Sequence, residues 1–308
     1  MNAITISNGL YQALIRADMG GNCLQLLHLP TGASLLRTPP DEDTYQTNSP
    51  NVFGMPFLFH PNRISDGKYT FEGRDYVFPI NEPARHNAIH GVMSVTPFTV
   101  ETQEKDHVVL AYAATEKAPY MAFPHAFHLT LEYKVTDAGM RQTLTVTNDS
   151  SADMPFGIGF HTSLNAAFMP GSKAEDSFLA ITAGKQWEYT PDRILPTGVS
   201  TDPGEYTAGV CAAHQRVSGL FDMGRQAGGG TAVLENRKQH AKIVYEVSEG
   251  YHFWMLYNMD GEHDFICPEP QTWMIDAPNV NLPDEITGFS ALRPGESRTL
   301  STVMHLEA

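Results

Sequence analysis

"HLTLEYKVT", residues 128 to 136, alternates without a break. Leu129, Leu131, Tyr133 and Val135 fall on one side, and His128, Thr130, Glu132, Lys134 and Thr136 on the other. A period of two is the signature of a half-buried strand, because successive side chains of an extended chain point to opposite faces. "RQTLTVTN" (141–148) repeats the pattern with Leu144 and Val146 against threonines, and "AKIVYEVS" (241–248) with Ile243, Tyr245 and Val247. "HVVLAYAAT" (107–115) is apolar enough to suggest a strand covered on both faces. Turn-forming clusters separate such runs: "DMGGN", "SDGK", "EGRD", "TDAG", "NDSSAD", "RQAGGG" and "RPGES".

No stretch carries a sustained 3.6-residue apolar period, so long helices and βαβ units are not expected. The expectation is an all-β fold, with two large antiparallel sheets packed face to face as a β-sandwich. No low-complexity linker divides the 308 residues, and residues 1–308 read as a single domain. "RTPPDEDTYQTNSPN" (37–51) is the most loop-like segment.

Composition narrows the function classes. Hydrophobic residues make up 42% and charged residues 18%, which suits a globular chain with a sizeable core. With 20 basic and 35 acidic residues, the formal charge is −15, so a phosphate backbone or an anionic membrane is an unfavourable partner. No apolar run approaches the ~18 residues of a spanning helix. The N-terminal residues lack a signal-peptide pattern, and Cys23, Cys211 and Cys267 are too scattered for a disulfide framework. These features predict a cytoplasmic protein with free thiols.

Phosphate-loop, dinucleotide and zinc-protease motifs are absent. "HNAIH" spaces His86 and His90 four apart, but in a strand-and-loop context without a third ligand it predicts no metal site. Polar groups do stand at the ends of strand-like runs: Asn62 and Arg63 in "FLFHPNRISDG", His90 in "NAIHGV", His161 in "PFGIGFHTSL", Asp222 in "GLFDMG" and Glu269 in "ICPEPQT". Singly, each has an ordinary structural reading. Together, a glutamate and a histidine facing one ligand can serve as base and acid.

In order along the chain, "PNRISDGKYTFEGRDYVFPIN", "AIHG", "MPFGIGFH", "GLFD" and "ICPEPQTWMIDAPN" resemble segments of the aldose 1-epimerase (galactose mutarotase-like) family. The resemblance implies the family's large antiparallel supersandwich with a sugar in an open cleft. It implies that Glu269 is the general base and His161 the general acid of sugar ring opening. It further implies that Arg63, His90, Asp222 and Asn62 hold a small-molecule sugar. Neither metal nor redox cofactor is implied, since ring opening is a pair of proton transfers.

Aromatic faces often line sugar clefts, and Trp273 is the favoured candidate ahead of Trp254, Phe59 and Phe160. The resemblance lapses after His161, where "HTSLNAAF" replaces the family's proline and aromatic pair, and at Val92, which replaces a second glycine.

The alternatives are a phosphorylated or unusual sugar, with Lys68, Arg74 and Arg85 as nearby cations, or a carbohydrate-binding protein without turnover. A glycosidase would want a second well-placed carboxylate. Pro268 and Pro270 flank Glu269, and their missing N–H groups predict that this segment leaves the sheet to cross the cleft.

Overall fold

The computed structural model describes residues 3–47, 50–225 and 227–308. Parts of the "RTPPDEDTYQTNSPN" and "RQAGGG" segments and the first two residues therefore lie outside the described residues. The architecture is a nearly all-β sandwich of antiparallel sheets, one of nine strands and one of eight, with a four-stranded sheet built from residues 3–34.

The opening stretch lies in the strand Phe127–Thr136, which pairs with Gly139–Asn148 across the "TDAG" turn in the tightest hairpin of the nine-stranded sheet. Its alternation is realised: Leu129, Leu131, Tyr133 and Val135 are buried, and Lys134 and Thr136 face out. Ala241–Val247 behaves alike, burying Ile243, Tyr245 and Val247. The strand His107–Ala114 departs from expectation. Val108 and Leu110 are fully buried, but Val109 and Ala111 remain partly open. Only one face of the nine-stranded sheet meets the core, so the extra apolar residues gain no cover.

That inner face packs on two partners. Tyr133 donates from its hydroxyl to the Gly21 carbonyl, and Cys23 lies against Met140, which ties it to the four-stranded sheet. Tyr245 packs on Trp254 of the strand Phe253–Tyr257 with ring centroids 6.1 Å apart, which ties it to the eight-stranded sheet. All three cysteines are free.

Two expectations are corrected here. The loop-like 37–51 segment contains the short helix Glu42–Thr47. Side-chain contacts stabilise it in place of an apolar period. The Asp41 carboxylate accepts from the Thr44 N–H, Arg16 pairs with Glu42 at 2.7 Å, and Tyr45 is buried against Phe53.

The proline-flanked segment also stays in the sheet. Phe265–Gln271 is a strand paired along Phe253–Tyr257, with Glu269 opposite Met255 and Pro270 opposite Trp254. On its other side it meets neighbours only near its ends, at Gln271 with Gly159 and at Phe265 and Ile266 with Asn165 and Leu164. A proline is tolerated in a strand where no ladder bond is required of it, and the gap between those contacts supplies such positions.

The eight-stranded sheet therefore has two different faces. Trp254 and Leu256 point to the core, while the alternate residues Met255 and Tyr257 and the facing Glu269 line an open cleft.

Candidate active site

The cleft has a volume of about 500 Å³ and is lined by Asn62, Arg63, Glu82, Arg85, His90, His161, Arg216, Ser218, Met255, Tyr257 and Glu269, among others. Four of the expected residues meet here with Glu269 as a fifth, although they come from segments far apart in sequence.

Glu269 and His161 are in direct contact. His161 Nε2 stands 3.2 Å from Glu269 Oε1, and the two side chains are only 7% and 2% exposed. Burial opposes both charged forms: it raises the Glu269 carboxyl well above its ordinary range and lowers the His161 imidazole to about 4. The Arg63 charge and a hydrogen bond from Gln271 Nε2 (3.3 Å to Oε2) pull the carboxyl partly back down. A proton held between them would have two positions, separated by a single transfer across the 3.2 Å contact.

The Asn62–Arg63 turn and His90 form a second, locked unit. Asn62 takes a left-handed conformation (φ 58°), as does His90 (φ 63°). The Asn62 N–H donates to His90 Nδ1 (3.2 Å), and the His90 N–H donates back to the Asn62 carbonyl (3.0 Å). An Nδ1 that accepts must leave the proton on Nε2, so His90 is a neutral N–H donor. Burial and the nearby His161 and Arg63 keep its basicity well below the ordinary histidine value.

Arg63 donates through Nε and Nη2 to Glu82 (2.9 and 2.8 Å) and through Nη1 to Asn62 Oδ1 (3.1 Å). Two of its five N–H groups remain for a ligand. Burial alone would raise the Glu82 carboxyl, but Arg63, Asn87 and Arg85 hold it below its ordinary value.

Asp222 and Trp273 fall elsewhere. Asp222 lies on the strand Ser218–Asp222, whose first residue does line the cleft. It shares the cleft-facing parity of Ser218, but four residues of strand place it roughly 13 Å further along. There its carboxylate accepts from Trp187 Nε1 and from the Gly224 N–H, both at 2.9 Å. Trp273 is fully buried, stacks on Phe289, and donates to the Pro61 carbonyl at 3.4 Å. Phe59, Phe160 and Trp254 are core residues as well.

The aromatic residue on the cleft wall is Tyr257, edge-on to His161 at 5.8 Å between ring centroids. Its alternation with Met255 in "FWMLY" is the sequence signal that would have found it. Glu82, Arg216 and Ser218 carried no comparable signal.

The departure after His161 does not reshape the cleft with new lining groups. Thr162 and Ser163 are fully buried and bond inward, to the Tyr245 hydroxyl (3.0 Å) and Cys267 Sγ (3.1 Å). Of the three cations considered for a phosphate, only Arg85 lines the cleft; Lys68 lines a separate groove, and Arg74 bonds the Pro124 carbonyl. His86 pairs with Asp66 at the surface, at 2.9 Å. Among the described residues no three His, Cys, Asp or Glu side chains form a metal cluster, and no helix is long and apolar enough to cross a membrane.

The class is that of antiparallel β-sandwiches with an open cleft over a buried Glu–His pair. The sequence model of the aldose 1-epimerase family matches residues 2–305, and the chain belongs to that family.

A galactose mutarotase-like protein from Clostridium acetobutylicum is 33% identical, with 99% of this chain and 95% of that one covered at a TM-score of 0.91. A galactose 1-epimerase from Lactobacillus acidophilus shares the fold at 16% identity and a TM-score of 0.75, over 99% of this chain and 94% of its own. The uncharacterized protein YphB of Escherichia coli K12 is 23% identical over 265 residues, 82% of this chain and 83% of its own length.

Proposed function

We propose that the protein interconverts the α and β anomers of an aldose by acid–base ring opening. The observation that carries this reading is the buried His161 Nε2–Glu269 Oε1 contact of 3.2 Å on the wall of an open cleft. The ring oxygen and the C1 hydroxyl oxygen are bonded to the same carbon. A base and an acid that stand side by side on one wall can therefore serve both.

With the shared proton on His161, Glu269 takes the C1 hydroxyl proton while His161 protonates the ring oxygen. The bond from C1 to the ring oxygen breaks, and C1 becomes an aldehyde carbon. Rotation about C1–C2 presents the other face, and the ring closes with the two roles exchanged. The proton inventory of the pair is unchanged after a full cycle. The Arg63 charge favours the ionised Glu269 that opening requires. His90 Nε2–H and the spare Arg63 N–H groups would hold sugar hydroxyls and fix the pose.

A non-catalytic sugar-binding protein would gain nothing from a buried proton-sharing pair, whose desolvation opposes folding. Polarimetry tests the reading: catalytic amounts of protein should speed the mutarotation of freshly dissolved α-aldoses above the buffer rate. No acceleration with any aldose, neutral or charged, would refute it.

A further inference from the structure

The charge on the cleft wall is opposite to that of the protein. The chain carries −15, yet three arginines, Arg63, Arg85 and Arg216, line this one concavity. The carboxyl groups lining it are Glu82 and Glu269. Glu82 is saturated, receiving two bonds from Arg63, one from Asn87 Nδ2 (2.9 Å) and one from Arg85 Nη1 (3.4 Å). His90 is neutral, because its Nδ1 accepts the Asn62 N–H. Even with both carboxylates ionised, three guanidinium charges leave an excess of one positive charge.

The three arginines are not equally engaged. Arg63 is committed to Glu82 and Asn62, and Arg85 partly to Glu82. Arg216 has neither an ion pair nor a hydrogen bond from its guanidinium among the described residues. It leads into the strand whose Ser218 stands opposite Tyr257, and its charge acts on the Tyr257 hydroxyl. Tyr257 in turn packs against His161. The free guanidinium thus shares a wall with the proton-transfer pair, with one aromatic side chain between them.

A neutral sugar needs donors and acceptors but no net charge. Arg216 is exposed and so can reach a ligand; a surplus of cations in a concavity focuses an attractive field on anions, and the planar fork of arginine matches the paired oxygens of a carboxylate or phosphate. We infer that the cleft takes a sugar bearing an anionic substituent, anchored by Arg216 with Arg85 beside it. This rests on the reading of the cleft as a sugar site. The anion is either the phosphate of a sugar phosphate or the carboxylate of a sugar acid.

The test compares glucose, glucose 6-phosphate and glucuronate by one-dimensional NMR anomer exchange, and their binding by calorimetry, with the native protein and Arg216→Gln. An anionic sugar should be preferred over glucose by about tenfold or more in kcat/KM, as charge-assisted hydrogen bonds allow. Arg216→Gln should shrink that ratio by a similar factor, and added salt should weaken it.

Preference for the phosphate or for the uronate assigns the anion. Equal handling of all three sugars, or a ratio untouched by Arg216→Gln, overturns the inference and leaves anomer exchange standing. Arg216-dependent binding of an anionic sugar without turnover of any sugar would sustain the inference and sink the proposed reaction. Neither turnover nor binding sinks both.

Discussion

Glu269→Gln should damage catalysis and strengthen the fold at once. The amide keeps the size of a side chain that is 2% exposed. Its oxygen can still accept from Gln271 Nε2, and its NH2 can donate to the neutral His161 Nε2 that now faces Oε1. What is lost is the group that takes the C1 hydroxyl proton. A positioned base typically contributes about 10²- to 10⁴-fold, or about 3–5 kcal/mol of transition-state stabilisation. The loss should fall on kcat, with sugar affinity held within about tenfold, because shape and polar contacts survive.

The stability effect has the opposite sign. Burial raises the folded-state carboxyl above its unfolded value of 4.5. From pH 4.5 upward the unfolded chain ionises first, so this residue costs stability as pH rises toward the raised value. Each unit of that rise is worth about 1.36 kcal/mol. The amide cannot ionise, so the variant should melt higher at pH 7 and match the native protein below pH 4.5. Polarimetry and thermal unfolding at pH 7 and pH 4 read both effects. A near-native rate in the variant would refute the base. A lower melting temperature at pH 7 would refute the account of a strained, buried carboxyl.

His161→Asn should likewise cost about 10²-fold or more in kcat, read by the same polarimetry. Asp222→Ala removes the acceptor of Trp187 Nε1 and of the Gly224 N–H, so it should lower stability by about 1–3 kcal/mol in urea titration while leaving kcat/KM within about twofold. Turnover should fall as pH drops toward 4, where His161 also takes a proton and the pair loses its acceptor. The fold itself should weaken across the same range. Burial holds His60 at about 3 and His125 at about 4, against 6.5 when unfolded, so the unfolded chain gains protons first as pH falls from 6.5. His60 alone accounts for about 4–5 kcal/mol by pH 3; because Glu269 acts in the opposite sense, the test is made in Glu269→Gln, where a urea midpoint that stays flat from pH 7 to pH 4 would contradict this.

The strands were legible because alternation is local: one buried face imposes a period of two on each strand whatever its neighbours. Glu269, His161, His90, Arg63 and Asn62 were legible as a set because polar residues at the ends of apolar runs break that pattern, and family resemblance ordered them. What escaped depends on register and on neighbours. Asp222 has the right face but lies at the far end of its strand, a distance no local pattern carries. Tyr257 and Ser218 line the cleft because they stand opposite each other across a strand pair, 39 positions apart in sequence. Pro268 and Pro270 stay in a strand because Phe265–Gln271 lacks a continuous partner on one side, which only the assembled sheet reveals. The helix Glu42–Thr47 depends on Arg16, Asp41 and the burial of Tyr45 more than on its own propensity.

The central claim is that the buried Glu269–His161 pair moves protons on a sugar. Exchange NMR on an equilibrated aldose, neutral or anionic, tests it most directly, because the anomeric signals report interconversion without net reaction. The account predicts cross-peaks between the α and β anomeric protons with the native protein, and their loss with Glu269→Gln. Equal cross-peaks from both proteins, or none from the native protein with any aldose, would contradict it.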